Sequence, residues 1–227
     1  FCGAGALNYG HNNDAIKAGL VDYLMRDGIL HGLDMTTAPK VAFIEAFEKK
    51  ILEPRGLDYK IMFPGPTGTN AVESALKIAR KATGRSMVWS FMGGFHGMTL
   101  GALSVSSDSY SRTGAGVALA NEYHVPAPYM MPDVDIVQFM QTILDDDHSA
   151  IAKPAAIVME TTQAEGGIYV MPTEFLQGVR AFCDKNGILL IIDDIQVGCW
   201  RTGTFFSFER AGIQPDIVCM SKSIGGI

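Results

Sequence analysis

Apolar residues recur with a helical period most clearly in the stretch TNAVESALKIARKAT, residues 69–83. The spacing i, i+3, i+4, i+7 is formed by Val72, Ala75, Leu76 and Ala79. On the other side of the same stretch an acidic and a basic residue stand four positions apart, which supports a helix. Gly84 follows, and glycine commonly ends a helix. The pattern therefore predicts an amphipathic helix over 69–83.

Three further stretches have helical patterns. Residues 13–26 have a short helical pattern, and in 41–53 one face is formed by Val41, Ile44, Phe47, Lys50 and Ile51. The stretch 173–186 is followed by Gly187 and is predicted to end there.

Short apolar runs between these helices predict strands. They are SMVWSF at 86–91, AAIVM at 155–159, ILLII at 188–192 and DIVCM at 216–220, with a further short strand at 59–63. Strands that alternate with helices along a chain are typical of a parallel sheet covered by helices on both faces. The sequence thus predicts an α/β fold, with a domain edge near residue 40.

Charged residues follow three of the apolar runs. Glu160 comes directly after AAIVM and Asp193 directly after ILLII. Lys222 follows DIVCM with one serine between them. Ligands of open α/β sheets bind beyond the carboxyl ends of the strands, so we expect these side chains at one edge. Gly68 in the loop GPTGT opens the 69–83 helix, where free N–H groups and the helix dipole favour an anion. Together these features suit a phosphorylated, carbonyl-bearing cofactor.

Each feature has an ordinary structural explanation when taken alone. An acid after a strand is often a helix cap, a glycine-rich turn is often only a turn, and an isolated lysine is usually solvated. The run LLIIDD also resembles half of a P-loop ATPase, but the chain has no Gly-Lys pair and so lacks G-x-x-x-x-G-K-[ST]. No G-x-G-x-x-G follows a strand, which argues against a dinucleotide-binding fold.

Composition excludes other classes of protein. The chain has 227 residues, 48% of them hydrophobic and 19% charged, which is typical of a globular protein. A net charge of −6 without basic clusters argues against nucleic acid as a partner, and the apolar runs are too short to span a membrane. The four cysteines form no C-x-x-C pair and indicate free thiols in a reducing compartment. The histidines have no metal-ligand spacing, so no metal is expected.

Five stretches in this order and spacing resemble the class III aminotransferases, which are pyridoxal-phosphate enzymes of fold type I. They are GPTGTNAVESALKIAR, GGFHGMTLGALS, ETTQAEGG, IIDDIQVGCWRTGTFFSFE and DIVCMSKSIGG. The resemblance covers nearly the whole chain. It implies the large domain of that fold, with a mostly parallel sheet and helices on both faces.

The resemblance implies roles for individual residues around pyridoxal 5′-phosphate. Lys222 is the lysine that bonds to the cofactor aldehyde and then moves protons, and Asp193 pairs with the ring nitrogen. Gln196 hydrogen-bonds the ring hydroxyl oxygen, and Gly68 and Thr69 hold the phosphate.

Four more positions take roles from the same resemblance. Phe95 stacks on the ring face with His96 beside it, and Glu160 supports the ring region from behind. Glu165 corresponds to a gate carboxylate, which swings away from an arginine when a 2-oxo acid binds.

Three stretches of the sequence resemble one branch of the family. They are HGLDM, ILEPRGLDYKIMFPGPTGTNAVE and FSFERAGIQPDIVCMSKSIGG. That branch moves an amino group from glutamate to aspartate 4-semialdehyde, giving 2,4-diaminobutyrate and 2-oxoglutarate in ectoine synthesis. An ornithine- or 4-aminobutyrate-type aminotransferase is the alternative enzyme. A non-catalytic binding module of the same fold is the alternative outside catalysis, and the presence of Lys222 with Asp193 argues against it.

The resemblance also implies a domain division and partners. Residues 1–40 are expected to lead in from a small domain, and 41–227 to form the cofactor-binding large domain, with the C-terminal domain outside the chain. Small amino acid, 2-oxo acid and aldehyde substrates, a homodimer or larger homo-oligomer, and a cytoplasmic location are expected.

Overall fold

A parallel sheet lies at the centre of the protein, for which a computed structural model describes residues 2–226. The strands in chain order are β1 Val88–Phe91, β2 Glu122–Val125, β3 Ala156–Met159, β4 Thr162–Gln163, β5 Tyr169–Val170, β6 Leu189–Asp193 and β7 Ile217–Cys219. Five of them form one sheet in the order β2-β1-β3-β6-β7, and every neighbouring pair in it is parallel. Strands β4 and β5 form a separate antiparallel hairpin.

The helices are α1 Asp14–Met25, α2 Ala38–Phe47, α3 Gly68–Thr83, α4 Leu100–Val105, α5 Ser109–Thr113, α6 Ile136–Asp145 and α7 Thr173–Asn186. A π-helical turn, Glu48–Leu52, continues α2. Helix α3 begins after Thr67, whose side chain accepts a hydrogen bond from the amide of Asn70, and it ends at Gly84 with φ of 69°.

Helices cover both faces of the sheet because the strand residues alternate between two cores. One core contains α3 and the strand residues Val88, Ala156, Val158, Ile191 and Cys219. The other contains α6, α7 and the strand residues Trp89, Phe91, Ile157, Met159, Leu190 and Ile192. Buried on both faces, the strands read in sequence as continuous apolar runs.

Most of the predicted elements are confirmed, with boundaries within a few residues. The strand predicted at 59–63 is wrong, because within the described residues 2–226 this segment pairs with no strand. Its Tyr59 instead donates a hydrogen bond to the carbonyl of Pro215 at 2.6 Å. The strands and helices that were not predicted are β2, β4, β5, α4, α5 and α6.

The N-terminal helices differ in packing from the rest. Neither α1 nor α2 contributes a buried residue, and Ile16, Leu20, Val21 and Leu24 of α1 are exposed. Residues 1 and 227 of the expected division lie outside the described residues, and the division near residue 40 stays a prediction. Within residues 2–226 no helix has the length and hydrophobicity needed to cross a membrane.

Arg112 holds the end of α4 to the edge strand β2. Its Nη1 lies 3.1 Å from the carbonyl of Leu103, 2.7 Å from that of Ser104 and 2.8 Å from that of Ser106. Its Nη2 lies 3.1 Å from the carboxylate of Glu122 in β2. One planar guanidinium thus satisfies helix-end carbonyls and an acid together, which an ammonium group does not reproduce.

We therefore expect Arg112→Lys to lower the free energy of unfolding by about 1–3 kcal/mol, the scale of charge-assisted hydrogen bonds lost from a part-buried site. Urea unfolding of the full-length, cofactor-free protein measures this change. Arg201→Lys, at an exposed position, is the matched control and should stay within about 0.5 kcal/mol of the parent. Equal effects of the two substitutions would contradict the role of Arg112.

Candidate functional site

The strand register brings the predicted side chains to one edge of the sheet. Met159, the last residue of β3, pairs with Ile192 of β6. The residues that follow these two, Glu160 and Asp193, therefore lie side by side. Asp193 in turn pairs with Cys219 of β7, three residues before the lysine. Strand β1 lies between β2 and β3, so the chain changes direction across the sheet beside these residues. Such a switch point is where open α/β sheets bind ligands.

A buried ion pair lies at the centre of this edge. Nδ1 of His96 is 2.7 Å from Oδ2 of Asp193, and the two side chains are 1% and 4% exposed. Burial opposes charge on the imidazole, but the hydrogen bond and charge of Asp193 outweigh it and raise the pKa of His96. The other oxygen of Asp193 accepts the amide of Ile195 at 3.2 Å. His96, expected beside the ring face, contacts Asp193 directly.

Glu160 holds the loop that follows β1. Its Oε2 accepts the amide hydrogen of Phe95 at 3.0 Å, and the side chain is buried. Burial raises its pKa to about 7; the charge of His96 lowers it and that of Asp193 raises it. The carboxyl group therefore positions the backbone of Phe95.

The start of α3 packs closely against two other loops. A Cβ atom on Gly68 would lie 2.9 Å from Cδ1 of Ile195, two residues beyond Asp193. Gly97 has φ of 135°, and a Cβ there would lie 2.3 Å from Oγ1 of Thr69. The absence of side chains at both glycines brings the loop before α3 next to the loops that follow β1 and β6. Free helix N–H groups and the site's acids therefore share one surface.

Lys222 stands at the same edge, beyond β7. It is part-buried, and its φ of 47° is in the left-handed region, which a non-glycine residue seldom adopts. Burial lowers the pKa of its ammonium group, while the charges of Glu165, Asp193 and Glu160 act in the opposite direction. Strain and a lowered amine pKa at one residue are typical of a reactive lysine.

Gln196 and Glu165 meet at the outer side of the site. The amide nitrogen of Gln196 donates to a carboxylate oxygen of Glu165 at 3.2 Å and to the carbonyl of Ala4 at 2.8 Å. Glu165 is exposed in the turn of the β4–β5 hairpin. Both predicted residues are therefore at the site, and they contact each other.

Two features of the site were not found from the sequence. The first is Asp194, which is 2% exposed and accepts the amide of Ser207 with both oxygens, at 3.3 and 3.1 Å. Burial raises its pKa to about 6. The doubled acid of LLIIDD was the signal available, and the structure assigns its second member to holding the Ser207 segment.

The second feature is a pair of tyrosines that braces the hairpin. Tyr129 and Tyr169 stack with ring centroids 3.7 Å apart, and the hydroxyl of Tyr129 donates to Gln163 at 2.8 Å. The amide of Gln163 donates in turn to the carbonyl of Met92, just before the Phe95 loop, at 3.0 Å. The loops after β1 and β3 are thereby joined. Aromatic residues this far apart in sequence gave no local signal.

The chain matches the family described as Aminotransferase class-III over residues 1–226. The diaminobutyrate–2-oxoglutarate transaminase of Virgibacillus pantothenticus is 58% identical over 227 residues, which are 100% of this chain and 55% of that protein. The protein of the same name from Halalkalibacterium halodurans is also 58% identical, over 100% of this chain and 53% of its own length. The chain thus spans about half the length of the curated relatives it matches.

Solved structures give the same comparison at lower identity. The taurine:2-oxoglutarate aminotransferase of Bifidobacterium kashiwanohense, in complex with PLP and glutamate, superposes with a TM-score of 0.84 at 26% identity, over 96% of this chain and 50% of its own. A PLP-bound amine transaminase from an uncultivated Pseudomonas species gives 0.82 at 28% identity, over 98% and 54%. The α/β fold with its mostly parallel sheet is therefore the fold of these enzymes.

The raised pKa of Glu160 generates a prediction about stability. Between its ordinary value of 4.5 and about 7, the folded protein binds more protons at this group than the unfolded chain does. Its stabilising contribution is complete below pH 4.5 and is lost as the pH rises through 7. Glutamine does not titrate, so the variant should not lose this contribution. Between pH 4.5 and about 7, we expect the unfolding free energy of Glu160→Gln to rise relative to that of the parent by about 3 kcal/mol.

The measurement is urea unfolding of both cofactor-free, full-length proteins at a series of pH values. Glu53→Gln is the control, because its carboxylate is exposed and stays in water in both states. The unfolding free energy of Glu53→Gln should change with pH in parallel to that of the parent. A Glu160→Gln curve equally parallel to the parent would contradict the assignment.

Proposed function

Because the chain belongs to the class III aminotransferases, we propose that it forms the cofactor-binding part of an enzyme that transfers an amino group between glutamate and aspartate 4-semialdehyde. Pyridoxal 5′-phosphate is the cofactor of this family. The observation that carries the proposal is the meeting of Lys222, the Asp193–His96 pair and the start of α3 at one sheet edge. The names of the relatives support 2,4-diaminobutyrate and 2-oxoglutarate as the products.

The residues at this edge fit pyridoxal phosphate. The cofactor, when bound, supplies an aldehyde for an amine and a ring that accepts electrons from the substrate. An anion suits the free N–H groups of Gly68 and Thr69. The absence of a side chain at Gly97 leaves room for the Thr69 hydroxyl beside them. A protonated ring nitrogen suits a buried carboxylate, and an aldehyde suits a lysine whose charge burial disfavours.

Lys222 would be the amine that bonds the cofactor. Burial favours its neutral form, which carries the lone pair that attacks a carbonyl. When it is not bonded to the cofactor, the same nitrogen would take a proton from the substrate carbon and return it elsewhere. Its place beyond β7, near the acids that follow β3 and β6, supports both roles.

Asp193 would keep a proton on the ring nitrogen. Its Oδ2 is held by His96 and its Oδ1 by the amide of Ile195, which leaves the carboxylate fixed in direction. A fixed, desolvated carboxylate favours a cation beside it. His96 therefore acts through Asp193 as a positioning residue, and Phe95, held by Glu160, would lie on the ring face.

Glu165 would distinguish the two substrates, glutamate and aspartate 4-semialdehyde. Glutamate and 2-oxoglutarate carry a second carboxylate, which an exposed carboxylate in the site repels, whereas aspartate 4-semialdehyde presents its neutral aldehyde to the reaction. The hydrogen bond from Gln196 and the hairpin turn that carries Glu165 support a side chain that moves between partners. This role agrees with the gate carboxylate that the family resemblance implies.

We also propose a homodimer in the cytoplasm. The exposed apolar residues Ile16, Leu20, Val21 and Leu24 lie on α1, and a face of this kind favours association with a second copy. Three of the four cysteines are free and buried, which agrees with a reducing compartment.

The attachment of the cofactor is directly testable. We expect borohydride treatment of the cofactor-loaded, full-length protein to fix the cofactor on the peptide that contains Lys222, because that amine is part-buried and its pKa is lowered. Peptide mass spectrometry detects the added mass. Lys77→Arg, at an exposed position in α3, is a control that should label normally. A label confined to another lysine would exclude the assignment.

The reaction itself is tested by product analysis. We expect the full-length protein to form 2,4-diaminobutyrate and 2-oxoglutarate from glutamate and aspartate 4-semialdehyde. Asp193→Asn should lower the rate about 10²–10³-fold, since one charge-assisted bond near the reacting atoms contributes about 3–4 kcal/mol. Ornithine and 4-aminobutyrate, offered as alternative donors, should react more slowly. A preference for either donor would overturn the proposed substrate.

A further inference from the structure

Three side chains form a hydrogen-bonded chain that leads away from the start of α3. Oγ1 of Thr69 lies 2.8 Å from Oγ1 of Thr99, which lies 2.5 Å from Oε1 of Glu73. The same Oε1 accepts the amide of Ala102 at 3.0 Å. The amide of Thr99 also points to Oγ1 of Thr69, at 3.4 Å. Thr99 therefore contacts the Thr69 hydroxyl with both its backbone and its side chain.

The number of protons fixes the direction of this chain. An ionised carboxylate only accepts hydrogen bonds, and a hydroxyl has a single proton to donate. The Thr99 hydroxyl therefore donates its hydrogen bond to the carboxylate of Glu73. The oxygen of Thr99 is then left to accept, so the single proton of Thr69 points to Thr99. In this arrangement the Thr69 hydroxyl can accept a hydrogen bond from another ligand but has no proton left to donate to it.

We propose that Thr99 is a positioning residue that limits the affinity of this site for phosphate groups, by occupying the proton of Thr69. The inference rests on the proposed function, in which Gly68 and Thr69 face the cofactor phosphate. The unprotonated oxygens of a phosphate that binds there are acceptors, so the Thr69 proton must leave Thr99 before it serves them. Each binding event then breaks one hydrogen bond to form another.

The geometry keeps this competition local. Thr99 is exposed and its side chain does not cap α4, so its hydroxyl has no role in holding the helix. Glu73 keeps the amide of Ala102 as a second donor when the Thr99 hydroxyl is removed. Valine has the shape of threonine without the hydroxyl. A Thr99→Val substitution therefore frees the Thr69 proton while leaving the loop filled.

The experiment compares ligand affinity in full-length, cofactor-free protein. We expect Thr99→Val to tighten the dissociation constants of both inorganic phosphate and pyridoxal phosphate by about 2- to 10-fold, the range that one neutral hydrogen bond supplies. Pyridoxal, which lacks the phosphate, should bind parent and variant equally. Titration calorimetry and cofactor absorbance give these constants without reference to turnover.

Two variants separate this effect from a general disturbance of the loop. Thr99→Ser retains the hydroxyl and should restore the parent's affinity. Thr69→Val has no proton to free, so adding Thr99→Val to it should change nothing. Weaker or unchanged phosphate binding in Thr99→Val, or an equal gain for pyridoxal, would overturn this inference alone. A parent protein that binds no pyridoxal phosphate would overturn the proposed function, and this inference with it.

Discussion

The buried contact between His96 and Asp193 is the interaction on which the site depends. Removing two polar side chains from water is costly unless each is paired, and here the pair is formed at 2.7 Å with almost no exposure. The amide of His96 donates to Ser106 at 2.8 Å, which fixes the imidazole's own backbone. Because His96 follows β1 and Asp193 ends β6, one contact joins two loops across the intervening strand β3.

The acids of this edge differ because their partners differ. Asp193 has an imidazole, Asp194 has the amide of Ser207, and Glu160 has the amide of Phe95. Burial raises the pKa of Glu160 to about 7 and that of Asp194 to about 6, so both carboxyls hold protons more readily than exposed ones. The same burial thus acts on two carboxyls that hold different parts of the site, the Phe95 loop and the Ser207 segment.

The strand ends were predictable because strands buried on both faces appear as apolar runs and the first polar residue marks where each stops. Strand β2 gave no such signal because EYHV, at the edge of the sheet, is only partly buried and carries polar residues. The pairing of His96 with Asp193 spans 97 positions of sequence and follows no local period. The hydrogen bonds that link Thr69 to Glu73 through Thr99 could not be predicted from the sequence for the same reason. Residue roles at the site came from family resemblance, and the partners of those residues came from the structure.

The distance between the two ends of the proposed cofactor site is set by one van der Waals contact. Ile195 lies two residues beyond Asp193, and its side chain occupies the space where Gly68 would carry a Cβ. The loop before α3 and the Asp193–Ile195 segment therefore approach as closely as the backbone of Gly68 allows. The amide of Ile195 also holds Oδ1 of Asp193, so the same residue orients the acid and spaces it from the loop. A methyl group at position 68 would meet the Ile195 side chain and so push the loop before α3 away from Asp193.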